Sequence, residues 1–282
     1  MPLPTTDVAV DAAIDRLRQG LSELGPVVVA FSGGADSAFL AWIAQDALGA
    51  DRAAAVTAVS ASLAPDELDD CRALADEWSL RWSTVETDEL ADPAYVANDG
   101  DRCFSCKSAL MDALVPVASA RGATVVLGVN VDDLGDHRPG QRAAAERGAV
   151  FPLVAAGFTK DMVREASRRL GLRTWDKPAA ACLASRIPYG TSVTVELLDR
   201  VGRAEGALRR LGFGDVRVRH YGDTARIEVP IERLSEVVER RGQVVAAVSG
   251  AGYQRVTLDL EGLRSGNLND DLAGGRGAQP AG

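Results

Sequence analysis

Phe31-Ser32-Gly33-Gly34-Ala35-Asp36-Ser37 joins the β-branched run Val27-Val28-Val29-Ala30 to an apolar stretch, Ala38 to Ala44. A buried strand that turns through two glycines into a helix lets backbone N–H groups close on an anion. The helix N-terminus adds partial positive charge there. Ser32 and Ser37 add hydroxyl donors. The pattern predicts a phosphate-binding loop formed by Ser32, Gly33, Gly34, Asp36 and Ser37. It lacks the lysine of the loop that cleaves between the β- and γ-phosphates, and it is not the GxGxxG dinucleotide turn. Gly128, closing the apolar run Thr124-Val125-Val126-Leu127, is a further nucleotide-binding candidate.

Sulfur chemistry is the second theme. Cys103-Phe104-Ser105-Cys106 follows the polar stretch Asn98-Asp99-Gly100-Asp101-Arg102 and leads into a predicted helix. A cysteine at a helix N-terminus is favoured as thiolate. One CxxC supplies only two of the four ligands a tetrahedral zinc site needs, and the sequence holds no second CxxC and no suitable histidine pair. Two thiols that merely pack are the plain alternative. Cys182 lies in Lys177-Pro178-Ala179-Ala180-Ala181-Cys182-Leu183-Ala184-Ser185-Arg186, where Arg186 and Lys177 can favour its thiolate. Cys71 shares a helical face with Leu68 and Ala75 and is read as a core thiol.

Anion-binding and metal-binding candidates complete the set. Arg186 can hold a carboxylate or phosphate through its planar fork. Arg217 and Arg219 alternate with Val216 and Val218 on one predicted strand, and Arg226 and Glu228 repeat the pattern on the next. Pairing of the two strands gathers these charges into one patch, which is a substrate site or a solvated sheet face. Asp132, Asp133 and Asp136 cluster after the Gly128 strand end. They can hold Mg²⁺, which nucleotide enzymes bind through one or two carboxylates, or form a solvated acidic loop.

The elements that must position these residues alternate between helix and strand. Helices are expected at about 8–23, to about Leu48, at Pro65–Trp78 and at about Lys107–Ala118, with Pro116 kinking the last or ending it early. Strands are expected at 26–31, 53–59, 81–86 and 124–128. Single helices between strands imply a doubly wound parallel α/β sheet, with ligands beyond the carboxyl ends of its strands. This domain is assigned to residues 1–173, and 174–190 is read as a functional loop. Residues 191–269 form a smaller α+β domain. It comprises a helix capped by Thr194, strands 216–220 and 225–229, a helix at about 231–248 and a strand at 255–260. Residues 270–282 are expected to be a mobile tail.

With 282 residues, 46% apolar and 25% charged, the chain reads as globular. No apolar run reaches membrane-spanning length and no secretion signal is visible, so a cytoplasmic protein with no membrane partner is expected. A net charge of −9 argues against a nucleic-acid partner. Four cysteines are too few for a disulfide framework in a chain this long.

SGGADS resembles the PP-loop of ATP pyrophosphatases. Together with DRCFSCK, GVNVDDLGDHRPG, WDKPAAACLASRIPYG, RVRHYGDTARIEVP and VTLDLEGLRSGNLN, in this order, it resembles the LarE family of ATP-dependent sulfur transferases over roughly residues 10–270. The resemblance implies the fold of adenine nucleotide α-hydrolases and ATP with Mg²⁺ at the loop. It also implies a nucleotide substrate, pyridinium-3,5-biscarboxylic acid mononucleotide, converted to thiocarboxylates for the nickel-pincer cofactor. Arg186, Arg217, Arg219 and Glu228 are then the substrate-binding residues. Two sulfur routes stand: Cys103, Cys106 and Cys182 hold a [4Fe–4S] cluster that carries sulfide, or Cys182 gives up its own sulfur and becomes dehydroalanine. A homo-oligomer, a hexamer by resemblance, is expected. The rival readings are an amidating synthetase, a tRNA thiolase, or a nucleotide-binding regulator that releases no pyrophosphate.

Overall fold

A computed structural model of the chain describes residues 5–135, 139–178 and 182–264. Asp136 and the tail 270–282 lie outside the described residues. In chain order the elements are α1 (Thr5–Leu24), β1 (Val27–Ala30), α2 (Ala35–Leu48), β2 (Ala53–Val59), α3 (Pro65–Glu77), β3 (Trp82–Glu86), α4 (Pro93–Ala97), α5 (Arg102–Ser119), β4 (Thr124–Leu127), α6 (Pro139–Glu146), α7 (Pro152–Ala155), α8 (Lys160–Arg169), α9 (Val195–Arg210), β5 (Arg217–Tyr221), β6 (Thr224–Glu228), α10 (Leu234–Glu239), α11 (Arg241–Gly250) and β7 (Arg255–Leu258). The chain divides into two compact units, one of residues 1–89 and 103–180, the other of residues 90–102 and 181–282.

The larger unit is built on a four-stranded parallel sheet of order β3-β2-β1-β4. Strand residues alternate between two apolar layers because successive side chains point to opposite faces. Val27, Val29, Ala53, Ala55 and Val126 join Leu17, Leu21, Phe39, Ile43, Leu74 and Val163 on one side. Val28, Ala54, Val56, Val125 and Leu127 join Met111, Leu114, Ala118 and Ala144 on the other. Burying each large apolar side chain is worth about 1.5–3 kcal/mol, so both helical layers are fixed by core packing. The sheet is therefore covered by helices on both faces, the expected doubly wound α/β fold.

Strand order reverses at β1, which has β2 on one side and β4 on the other. That reversal opens a crevice beyond the carboxyl ends of β1 and β4. The Ser32–Ser37 loop follows β1, and Gly128 follows β4.

The smaller unit has a mixed three-stranded sheet, β5-β6-β7, with β5–β6 antiparallel and β6–β7 parallel. Ala204 and Leu208 of α9 and Val244 and Val248 of α11 pack on Val218, Ala225 and Ile227. The helix expected at 231–248 is broken into a 3₁₀ turn, α10 and α11, with Arg240 between the two helices. α5 begins earlier than expected, at Arg102, so the CxxC lies inside it, and Pro116 does not end it early, since the helix runs to Ser119. A proline this close to the helix end removes one intrahelical bond and leaves the rest intact.

Candidate functional site

The loop after β1 is braced from within. The Ser32 backbone N–H donates to Ser37 Oγ at 3.2 Å, and Ser37 Oγ donates to the Gly34 carbonyl at 3.1 Å. The Ser32 and Ser37 hydroxyl oxygens lie 3.0 Å apart. Gly33 takes φ +68, a left-handed conformation that costs glycine little. Gly34 caps α2 with no side-chain hydrogen bond, so the first N–H groups of the helix are left to a ligand. Gly128 brings β4 against this turn. A Cβ there would lie 2.8 Å from the Ser37 nitrogen and 2.9 Å from the Asp36 carbonyl carbon. Only a residue without a side chain fits, so Gly128 shapes the loop through its backbone.

The acidic residues fall into two groups. Asp36 Oδ1 accepts from Asn130 Nδ2 at 3.1 Å. Burial pushes the Asp36 carboxyl up; the Asn130 bond opposes this, and the neighbouring Asp133 adds to it. Asp133 is buried and lies 3.2 Å from Lys160 Nζ. This pair of carboxylates suits a hard cation that draws its remaining ligands from phosphate and water. Asp132, expected beside Asp133 in that role, instead accepts from the Lys160 backbone N–H at 2.7 Å, at the start of α8. Among the described residues no group of three His, Cys, Asp or Glu side chains is placed to hold a metal.

Cys103 and Cys106 occupy the first turns of α5, one exposed and one half-buried. A spacing of three residues puts both on one helical face, so the pair can present two thiolates together. Cys71 is buried, and burial pushes its thiol up to about 11, as suits a core thiol. Lys177, expected to support a Cys182 thiolate, donates two of its ammonium N–H groups to Glu67 (2.9 Å) and Asp70 (2.6 Å) on α3.

In the smaller unit Cys182 is exposed and leads into a 3₁₀ turn, Leu183–Arg186. Arg219 and Glu228 are buried while Arg217 and Arg226 are half-buried, so the patch is not a fully solvated sheet face. Arg186 forks onto Glu205 at 2.8 and 3.3 Å and donates to Ser185 Oγ at 2.8 Å. Arg219 forks onto Glu228 with two bonds of 3.0 Å and donates to the Ser185 carbonyl at 2.7 Å. Both glutamates are fully buried. Arg217 differs: it makes no ion pair among the described residues and donates to the Arg264 carbonyl at 3.1 Å. Its pKa is lowered by burial first and then by the nearby Arg186 and Arg219 charges. A guanidinium in that setting is the member of the three with most to gain from an anion.

Two residues with no expected role hold the Cys182 turn in place. Asn98 is fully buried with φ +56, and its amide donates to the carbonyls of Ile187, Pro188 and Thr191 at 3.3, 2.8 and 2.8 Å. Arg102 donates to Asn98 and, at 2.9 Å, to the Ala184 carbonyl. The signal in the sequence was an Asn-Asp-Gly run, which reads as a turn and conceals these distant partners.

A family model described as NAD synthase matches residues 9–100. The chain is 48% identical over 263 residues to an uncharacterized protein of Synechocystis, covering 92% of this chain and 98% of that one. It is 39% identical over 253 residues to the pyridinium-3,5-bisthiocarboxylic acid mononucleotide synthase of Lactiplantibacillus plantarum, covering 89% of this chain and 92% of that one. An uncharacterized protein of Methanocaldococcus jannaschii is 25% identical over 240 residues, covering 85% and 91%.

Proposed function

Because the chain belongs to the LarE family, we propose that it is an ATP-dependent sulfurtransferase that turns the carboxylates of pyridinium-3,5-biscarboxylic acid mononucleotide into thiocarboxylates. The observation that carries this reading is the braced, uncapped Ser32–Ser37 turn beside Gly128, at the switch point of a parallel sheet. In this reading the turn and the start of α2 hold the ATP phosphates. Asp36 and Asp133 hold Mg²⁺, which when bound neutralises charge on the phosphates. A substrate carboxylate oxygen attacks the α-phosphorus, the bond to the β-phosphate oxygen breaks, and pyrophosphate leaves with that electron pair. The acyl-adenylate is needed because a carboxylate is a poor electrophile with no good leaving group. A sulfur nucleophile then adds to the acyl carbon and AMP departs.

In the smaller unit Arg217 binds a substrate phosphate or carboxylate, and the buried pairs Arg186–Glu205 and Arg219–Glu228 hold the surrounding charge in place. Cys103, Cys106 and Cys182 would be the thiolates for a [4Fe–4S] cluster. Such a cluster, when bound, supplies an exchangeable sulfide at its open iron. The CxxC at the start of α5 favours this route over consumption of Cys182, which needs no second or third cysteine. The exposed Val195, Ile231, Val238, Val245 and Leu260 support a homo-oligomer. Among the described residues no helix is long and apolar enough to cross a membrane.

The test is an anaerobic reaction with ATP, Mg²⁺, sulfide and the dicarboxylate mononucleotide, followed by mass spectrometry and a pyrophosphate assay. Replacement of carboxylate oxygen by sulfur, matched by pyrophosphate release, supports the proposal. Product carrying nitrogen from added ammonia, or ATP binding without pyrophosphate release, contradicts it.

A further inference from the structure

We propose that Lys177 is a phosphate-contacting residue of the ATP loop, whose free ammonium N–H holds the β- and γ-phosphates as they leave as pyrophosphate. The inference rests on the reading of Ser32–Ser37 as the ATP loop. It begins with a distance: Lys177 Nζ lies 3.7 Å from the point where a Cβ on Gly33 would sit. Gly33 puts no side chain into that gap, and one built there would also lie 2.9 Å from Cys71 Sγ. The ammonium therefore lies beside the turn, with Cys71 Sγ and a Leu74 methyl packed on the same side of Gly33.

Donor count supports the same conclusion. An ammonium has three N–H donors and no acceptor. Glu67 and Asp70 take two of them, and among the described residues no third acceptor is present. The side chain is only 19% exposed, so water is partly excluded from the remaining donor. A fixed, desolvated donor aimed at a developing negative charge stabilises a transition state at little reorganisation cost.

Charge balance explains why the two carboxylates are tolerated here. Glu67 and Asp70 alone would repel a polyphosphate on the neighbouring turn. Lys177 and Arg173, the latter 2.8 Å from Asp70, offset both charges. The Asp70 carboxyl is held below its ordinary range: burial pushes it upward, and the bonds to Lys177 and Arg173 outweigh that. Lys177 transfers no proton in the step. It donates a hydrogen bond to the oxygen that gains the electron pair when the bond between the α-phosphorus and the bridging oxygen breaks.

A purely structural staple between Lys177 and α3 is the competing role, and calorimetric titration with inorganic pyrophosphate and AMP separates the two. Three proteins are compared: wild type, Lys177→Met, and the double variant Glu67→Gln/Asp70→Asn. The double variant removes the staple but keeps the ammonium. The expected result for Lys177→Met is a loss of about tenfold to a hundredfold in pyrophosphate affinity, with AMP affinity unchanged. The double variant binds pyrophosphate at least as tightly as wild type. Wild-type pyrophosphate affinity in Lys177→Met overturns the inference, as does an equal loss in the double variant. Should Lys177→Met fail to fold, Lys177→Gln, which keeps a polar stem but removes the charge, takes its place and is judged by the same criterion. A wild-type protein that binds neither pyrophosphate nor ATP overturns the reading of the loop, and the inference with it.

Discussion

A methyl group on Gly128 would sit 2.8 Å from the backbone nitrogen of Ser37. β4 and the start of α2 are thus in backbone contact where the polyphosphate is expected. Gly128→Ala must push the turn away from β4 or displace the strand end, and overpacking of this kind costs about 1–3 kcal/mol. ATP affinity should fall at least about tenfold, because the N–H groups of the turn are no longer aligned. Titration with ATP alongside a thermal melt checks this. An unchanged affinity at wild-type stability would show that the turn tolerates the shift.

Arg217 and Arg219 stand two residues apart on β5 but should behave in opposite ways. Arg219→Met removes the two-bond partner of the fully buried Glu228, which also accepts from Arg226 at 3.3 Å, and should cost about 3 kcal/mol. Adding Glu228→Met should recover much of that loss. Arg217→Ala breaks no ion pair among the described residues; it should cost less than about 1 kcal/mol and yet weaken substrate binding. Urea unfolding and substrate titration on the three variants separate a structural arginine from a binding one.

This contrast marks where the sequence was legible. Alternation along β5 and β6 correctly placed Arg217, Arg219, Arg226 and Glu228 on one face, because a strand has a period of two. It did not reveal that Glu205, on α9, would bury itself against Arg186 and also accept from the Val218 backbone N–H at 3.0 Å. Such partners are set by tertiary packing. The parallel sheet and its loop were readable because SGGADS carries both a turn requirement and a strand–helix pattern. The roles of Asn98, Arg102 and Lys177 were not, since each acts through groups that are distant in sequence.

His220 gives a pH prediction. Its ring is buried and lies 3.2 Å from the Tyr253 hydroxyl. Its pKa is lowered from 6.5 by burial first and then by Arg200. The unfolded chain takes up a proton near 6.5, while the folded one resists until lower pH. The stability linked to His220 is therefore fully present above 6.5 and is lost as pH falls through the lowered folded value. Melting curves across that window should show a steeper acid loss in wild type than in His220→Gln. Equal slopes would assign the acid sensitivity elsewhere.

Metal content tests the sulfur route. Protein purified without oxygen should carry about four irons and matching acid-labile sulfide per chain, both lost in Cys103→Ala/Cys106→Ala. A wild-type protein that binds no iron, and whose Cys182 loses the mass of H₂S after one turnover, would make Cys182 the consumed sulfur source.

Adenylation at the loop after β1 and sulfur delivery through Cys182 are separable half-reactions. Cys182→Ala and wild type, given ATP, Mg²⁺, sulfide and the dicarboxylate mononucleotide without oxygen, report both half-reactions in one assay. In Cys182→Ala, substrate-dependent pyrophosphate release with no sulfur in the product is expected. Sulfur transfer at the wild-type level by Cys182→Ala would contradict it.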